Sequence, residues 1–186
     1  MRTVFLSVVI GLFAATPAHA RARVCDQRPG ETVAATAVVR VFKDGSVLRG
    51  CRHGSRRVMR LAVASSCGLS PVAAAGRYVA VARVGCRSTT VVLFDLVRGR
   101  DVLGASAHSD ATPQSVTVAE LDVSRNGALA WLAVAEDGAG ELHLRRPFAP
   151  APELIAARAG GGLSDIAVTE HQLYWVQDGE RQGMAL

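Results

Sequence analysis

The chain has 186 residues, of which 49% are hydrophobic, 20% charged and 5% aromatic, with a formal net charge of +5. Such a composition excludes a disordered or low-complexity chain and suffices for one core of ordinary domain size. There is no phosphate-binding P-loop, no dinucleotide fingerprint and no Cys-x-x-Cys pair, which leaves nucleotide enzymes and zinc modules without their usual anchors.

In chain order, the first element is not part of the fold. Arg2 gives a positive start, Val4 to Ala15 is an apolar run broken by Ser7 and Gly11, and Ala18-His19-Ala20 offers small residues to a signal peptidase. This pattern predicts a cleavable signal peptide over 1–20, cut after Ala20, and a mature domain over 21–186 that is secreted or otherwise extracytoplasmic. No later stretch has the length of a membrane helix. Lys43 is the one lysine among 21 basic residues, and with abundant Ala, Val, Gly and Arg it points to a GC-rich bacterial coding sequence.

Export makes disulfides the default for the four cysteines. A hairpin turning at Gly76-Arg77 pairs residues whose numbers sum to 153, as do those of Cys67 and Cys86, so these two face each other across the strands. Cys25 and Cys51 pair by elimination.

The mature sequence is punctuated like strands, with short apolar runs separated by Gly, Asp, Asn, Ser and Pro. Val38 to Phe42 meets Asp44-Gly45, a hairpin turn, and Val47-Leu48 begins the return. Arg57 to Val63, Val72 to Ala75, Tyr78 to Val84, Val91 to Val97, Val116 to Val123, Leu129 to Val134, Ile166 to Thr169 and Leu173 to Val176 read as further strands. Propensity makes Pro152 to Gly160 a short helix, whereas its place in the repeat makes it an outer strand; we follow the repeat.

One pattern occurs three times: Gly76-Arg-Tyr-Val-Ala-Val-Ala, Gly127-Ala-Leu-Ala-Trp-Leu-Ala and His171-Gln-Leu-Tyr-Trp-Val-Gln, at steps of 51 and 44 residues. Such periods belong to β-propeller blades. Along Ala128 to Ala135 both faces are apolar, which calls for sheets on either side rather than the half-wet strands of a β-sandwich, the runner-up. The expected fold is all-β, a small propeller-like array of about 3.5–4 antiparallel blades from about fourteen strands. Residues 33–42 are expected to complete the last blade and close the ring.

Ser124-Arg125-Asn126-Gly127 and the strand after it resemble the Ser-Pro-Asp-Gly turn and strand of TolB-like (WD40-like) β-propeller repeats. Val91 to Leu96 with Arg98-Gly99, and Glu141-Leu-His-Leu, stand where the following strand falls. The resemblance covers about residues 70–180. It implies a periplasmic or secreted interaction module, with no catalytic residue to carry over.

Charge is uneven: residues 21–100 hold fifteen Arg/Lys against four Asp/Glu, and residues 101–186 five against twelve. The expectation is that the halves offset one another as neighbouring blades. Arg49, Arg52, Arg56, Arg57 and Arg60 form the candidate contact for an anionic partner. Nucleic acid is disfavoured because no aromatics interleave with the arginines.

Catalytic candidates are sparse. There is no Gly-x-Ser-x-Gly elbow around Ser164. His108-Ser109-Asp110 reads as a solvated linker, His143 and His171 as polar residues of strands or turns, and His53 as a histidine whose charged form neighbouring arginines disfavour. Glu120 and Asp122 share a strand face and default to a solvent edge, while the aromatics Tyr78, Trp131, Tyr174 and Trp175 are core residues. The expected function is a non-catalytic binding or scaffold module acting through propeller loops on a protein or an anionic envelope polymer, with no cofactor, metal or catalytic residue. The alternative is a propeller-fold lyase or hydrolase, which requires His108, His143 and His171 to converge at the ring mouth.

Overall fold

A computed structural model describes residues 24–63, 71–86, 88–109 and 116–186. The expected signal peptide, Cys67 and Asp110 lie outside the described residues. After a single 3-10 turn over Cys25–Gln27, the strands form four antiparallel sheets in chain order. Blade one is β1 (Glu31–Ala35), β2 (Val39–Asp44), β3 (Val47–Arg52) and β4 (Met59–Val63). Blade two is β5 (Val72–Ala75), β6 (Tyr78–Val84), β7 (Thr89–Asp95) and β8 (Arg100–Ser106). Blade three is β9 (Val116–Val123), β10 (Leu129–Ala135), β11 (Gly140–Arg145) and β12 (Glu153–Arg158). Blade four has three strands, β13 (Leu163–Val168), β14 (Gln172–Gln177) and β15 (Glu180–Ala185). The described residues thus form an all-β, propeller-like array of four blades. Among the described residues no helix is long and apolar enough to cross a membrane.

Strand alternation explains why both faces of the middle strands are apolar. In β6, Val79 and Val81 pack with Val39, Val41 and Leu61 of blade one, while Tyr78, Ala80 and Ala82 pack with Leu129, Trp131 and Ala133 of blade three. In β10 the other face, Ala130 and Leu132, joins Leu142, Leu163 and Leu173 against blade four. Each inner sheet is therefore a shared wall between two cores, and its strands cannot afford a polar side.

The hairpin register around Gly76 is as the sequence predicts, with Val72 opposite Val81 and Ala75 opposite Tyr78. Gly76 itself takes φ +54°, a conformation that suits glycine in so tight a turn. The segment 153–158 is a strand, and Cys25–Cys51 is a disulfide with Cα atoms 5.8 Å apart.

Two expectations are corrected. Residues 33–42 do not complete the last blade: β2 is held by β3 through the Asp44-Gly45 hairpin, β1 pairs with β2, and both belong to the first sheet. Sequence proximity outcompetes the long closure because a hairpin costs far less chain entropy. The repeat also has a fourth copy. Thr36 precedes β2 as Ser124 precedes β10 and Thr169 precedes β14, and each hydroxyl receives a backbone N–H two to four residues on. The strands that open these copies begin at 39, 78, 129 and 172.

Bulges are confined to the edges of blades. Register shifts occur in β1, β9 and β13 on one side and in β4, β8 and β12 on the other, while the central pairs β2–β3, β6–β7 and β10–β11 are regular. Bulged edges add twist, which blades need in order to stack around an axis.

Candidate functional site

The first strands β1, β5, β9 and β13 adjoin in series, so they mark the inner side of the array. Their residues are mostly small and apolar, and the β9 carboxylates Glu120 and Asp122 are already engaged. At the bulge in β13, Asp165 and Ile166 leave the ladder with β14, and their N–H groups donate to the two Glu120 oxygens at 2.9 and 2.8 Å. Asp122 accepts the Val168 N–H at 2.7 Å. These two acids are expected at a solvent edge; instead they act as a surrogate strand joining blade three to blade four. Freed backbone donors need acceptors, and the carboxylates supply them.

A second polar cluster lies between blades two and three, out at the third strand and away from the inner strands. Glu141 and His143 on β11 are both nearly buried. Glu141 accepts from Ser109 Oγ at 2.5 Å and Ser109 N–H at 2.9 Å, meets His143 Nε2 at 2.8 Å, and has His108 Nε2 at 3.4 Å. Burial pushes the Glu141 carboxyl up, but the hydrogen bonds from Ser109 and His143 and the nearby His108 outweigh it, leaving it below its ordinary value. Burial pulls His143 down, against the opposing pull of Glu141, so its neutral form is favoured. His143 also stacks on Trp131 at 5.0 Å, and Trp131 Nε1 donates to Ala107 O at 2.8 Å. The segment 108–109 is therefore no solvated linker: it docks on a buried carboxylate of the next blade.

The cluster lacks the geometry of a nucleophilic triad. Ser109 donates to the carboxylate rather than to a histidine base. His171 lies elsewhere, exposed in the β13–β14 turn, with its N–H on Thr169 Oγ1. The three histidines do not converge. Among the described residues one grouping has metal-ligand spacing, Cys25, Asp26 and His53, and its cysteine sulfur is already committed to the disulfide.

His53 departs from expectation. Its Nδ1 contacts Asp26 and its Nε2 faces Thr36 O at 3.0 Å, two acceptors that a doubly protonated ring satisfies. The hydrogen bond to Asp26 outweighs burial and raises its pKa, while the same bond lowers that of Asp26. The carboxylate overrides the surrounding arginines. Beside it, Arg40 donates to Thr32 Oγ1, Cys25 O, Arg28 O and Gly30 O, fastening the 24–30 segment to blade one.

The most extensive charged feature is a whole loop face. Side-chain and backbone bonds tie the alternate loops together at one end of the array. His53 reaches Thr36 O, Thr36 Oγ1 donates to Gly76 O at 2.6 Å, and Leu96 N–H donates to Arg77 O at 3.0 Å. Arg57 donates to Gly99 O at 3.1 Å, Arg145 to Gly127 O at 3.1 Å and Asn126 to Glu170 O at 2.8 Å. Arginines at this end include Arg52, Arg56, Arg57, Arg77, Arg98, Arg125 and Arg146, and its carboxylates include Asp26, Asp95, Glu153 and Glu170. Asp95 is shared by Arg77 and Arg98, and Glu153 is taken by Arg146. Arg52, Arg56, Arg57 and Arg125 are exposed and pair with no carboxylate among the described residues. The opposite turns present Asp44, Glu136, Asp137, Asp178 and Glu180.

Arginines of the second half, Arg125 and Arg146, thus join those of the basic first half on one loop face, because antiparallel strands send alternate turns to the same end. Of the arginines singled out in the sequence, Arg52, Arg56 and Arg57 lie on the basic end. Arg49 and Arg60 oppose each other on β3 and β4, with Arg49 bound to Asp44 at 2.8 Å. Arg125 and the buried Arg145 have no signal in the local sequence; the contact of Arg145 with Gly127 needs the fold to form.

These sheets and loops define the class, a four-blade propeller-like array with one basic loop face. No protein-family model matches the chain and no curated protein matches it. Among solved structures, Kluyveromyces lactis Hsv2 is similar at TM-score 0.39 and 13% identity, over 78% of this chain and 63% of that one. A second structure, Kluyveromyces lactis Hsv2 complete loop 6CD, gives TM-score 0.37 and 12% identity, over 81% and 66%. The chain spans less than two thirds of the length of these structures.

Proposed function

We propose that the protein is an exported, non-catalytic binding module that holds an anionic partner against its basic loop face. The observation that carries this reading is the contrast in how charged groups are used. Glu120, Asp122, Glu141 and Asp95 are consumed by bonds within and between blades, whereas Arg52, Arg56, Arg57 and Arg125 remain exposed on loops that share one end. The resemblance to TolB-like interaction modules points the same way, and the Cys25–Cys51 disulfide suits an extracytoplasmic location. A polyanion bound there releases counterions, so affinity falls steeply with salt. Titrating the purified protein with dextran sulfate at rising salt tests this. Binding that weakens with salt and with Arg56→Glu/Arg57→Glu supports it, and an absence of binding at low salt rejects it.

A further inference from the structure

Among the described residues Phe148 is the outlier of the surface. It is 86% exposed, whereas the other exposed large hydrophobic residues lie between 37% and 48%. It also has φ +63°, a left-handed conformation that is rare for a bulky side chain and natural for glycine. Two unfavourable features coincide at one residue. The turn that imposes them is well built: Ala149 N–H donates to Arg146 O at 3.2 Å, and Pro147 occupies the second position, as in a type II turn. Arg145, 5% exposed, pins it by donating from Nε to Ala149 O at 3.0 Å and from its terminal nitrogen to Gly127 O at 3.1 Å. The phenyl ring is thus held outward by a buried guanidinium, at the basic end of the array and next to the turn that carries Arg125. Val97, 40% exposed, stands on the same end in the β7–β8 turn.

We propose that Phe148 is the apolar anchor with which the basic loop face enters an anionic lipid bilayer. This rests on the basic-face reading above and names its partner. A bilayer interface suits both parts of the surface. The ring enters the acyl boundary, while arginines spread over the loops of several blades meet laterally mobile headgroups without needing a matched pocket. Each part adds to the binding, and the combination gives reversible attachment. Backbone strain at such a residue persists where the outward side chain has a use.

The test is co-sedimentation of the purified protein with phosphatidylcholine vesicles with and without phosphatidylglycerol, beside dextran sulfate as a soluble polyanion. The protein is expected to bind the phosphatidylglycerol vesicles and not the neutral ones. Phe148→Ala and Phe148→Gly are expected to weaken vesicle binding roughly tenfold while leaving dextran sulfate binding unchanged. Phe148→Gly should also melt at a higher temperature than the parent, which shows that any lost binding is not lost folding. Phe148→Trp should keep vesicle binding and shift its fluorescence to the blue on phosphatidylglycerol vesicles. Unchanged vesicle binding by Phe148→Gly overturns the anchor. Dextran sulfate binding without vesicle binding overturns the bilayer and leaves the basic face standing, and failure of both overturns the two proposals together.

Discussion

The Glu120 carboxylate receives the backbone N–H of Ile166 at 2.8 Å, across the gap between blade three and blade four. With the matching bond from Asp165 it replaces part of a strand ladder where β13 bulges away from β14. Glu120→Ala removes the acceptor of two backbone donors, one exposed and one half-buried, and should lower unfolding free energy by about 1 kcal/mol, whereas Glu120→Gln keeps one acceptor and loses less. Chemical denaturation of the two variants measures the difference. Equal, negligible losses would show that the pair is idle.

Trp131 joins a core role to a polar one. It is fully buried, stacks on His143 and donates to Ala107 O. Trp131→Ala should cost about 3–5 kcal/mol and Trp131→Phe, which mainly loses the N–H donor, about 1–3 kcal/mol. A drop in melting temperature ordered Ala before Phe is the expected result.

The Asp26–His53 contact makes a pH prediction whose sign follows from the two shifts. His53 is raised above its unfolded value near 6.5, so its contribution is full below that value and is lost as pH rises through the folded pKa. Asp26 is lowered from 3.8, so its contribution is present above that value and is lost as pH falls through the folded pKa. The contact is strongest between the two and weakens on either side. His53→Gln should flatten the decline in melting temperature as pH rises above about 6.5. A variant that declines as steeply as the parent would contradict this.

Reduction probes the cap on blade one. The Cys25–Cys51 bridge closes a separation of 26 residues, and removing it should cost about 3 kcal/mol by loop entropy. Intact mass after alkylation without reduction tests the proposed Cys67–Cys86 pair as well. No labelled thiol is expected, and two labelled thiols would remove the second bridge.

Much of the fold was legible because it is local. Val79/Val81 against Ala80/Ala82 display the two-sided burial of an inner blade, and Gly76 announces its hairpin register directly. The first blade was harder to see: Thr36 opens its repeat without the Gly that leads the Gly76 and Gly127 copies and without a Tyr or Trp in the strand that follows. The polar clusters were not legible. Glu120 meets Ile166 and Glu141 meets Ser109 only through blade stacking, at separations of 46 and 32 residues. The basic face was half legible. Arg52, Arg56 and Arg57 stand together in sequence, but Arg125 joins them only because alternate turns share an end. Phe148 did leave a trace, as an isolated aromatic between Pro147 and Pro150 in an otherwise polar or small-residue loop.

The most direct test of the basic face reverses charge at both ends of the array. Dextran sulfate affinity is measured against salt for the parent, for Arg56→Glu/Arg57→Glu/Arg125→Glu and for Asp44→Lys/Asp137→Lys at the opposite turns. The arginine reversals are expected to abolish salt-sensitive binding, and the opposite-end reversals to leave the arginine-face affinity in place. Binding that survives the arginine reversals, or is lost equally with both sets, would contradict the basic-face reading.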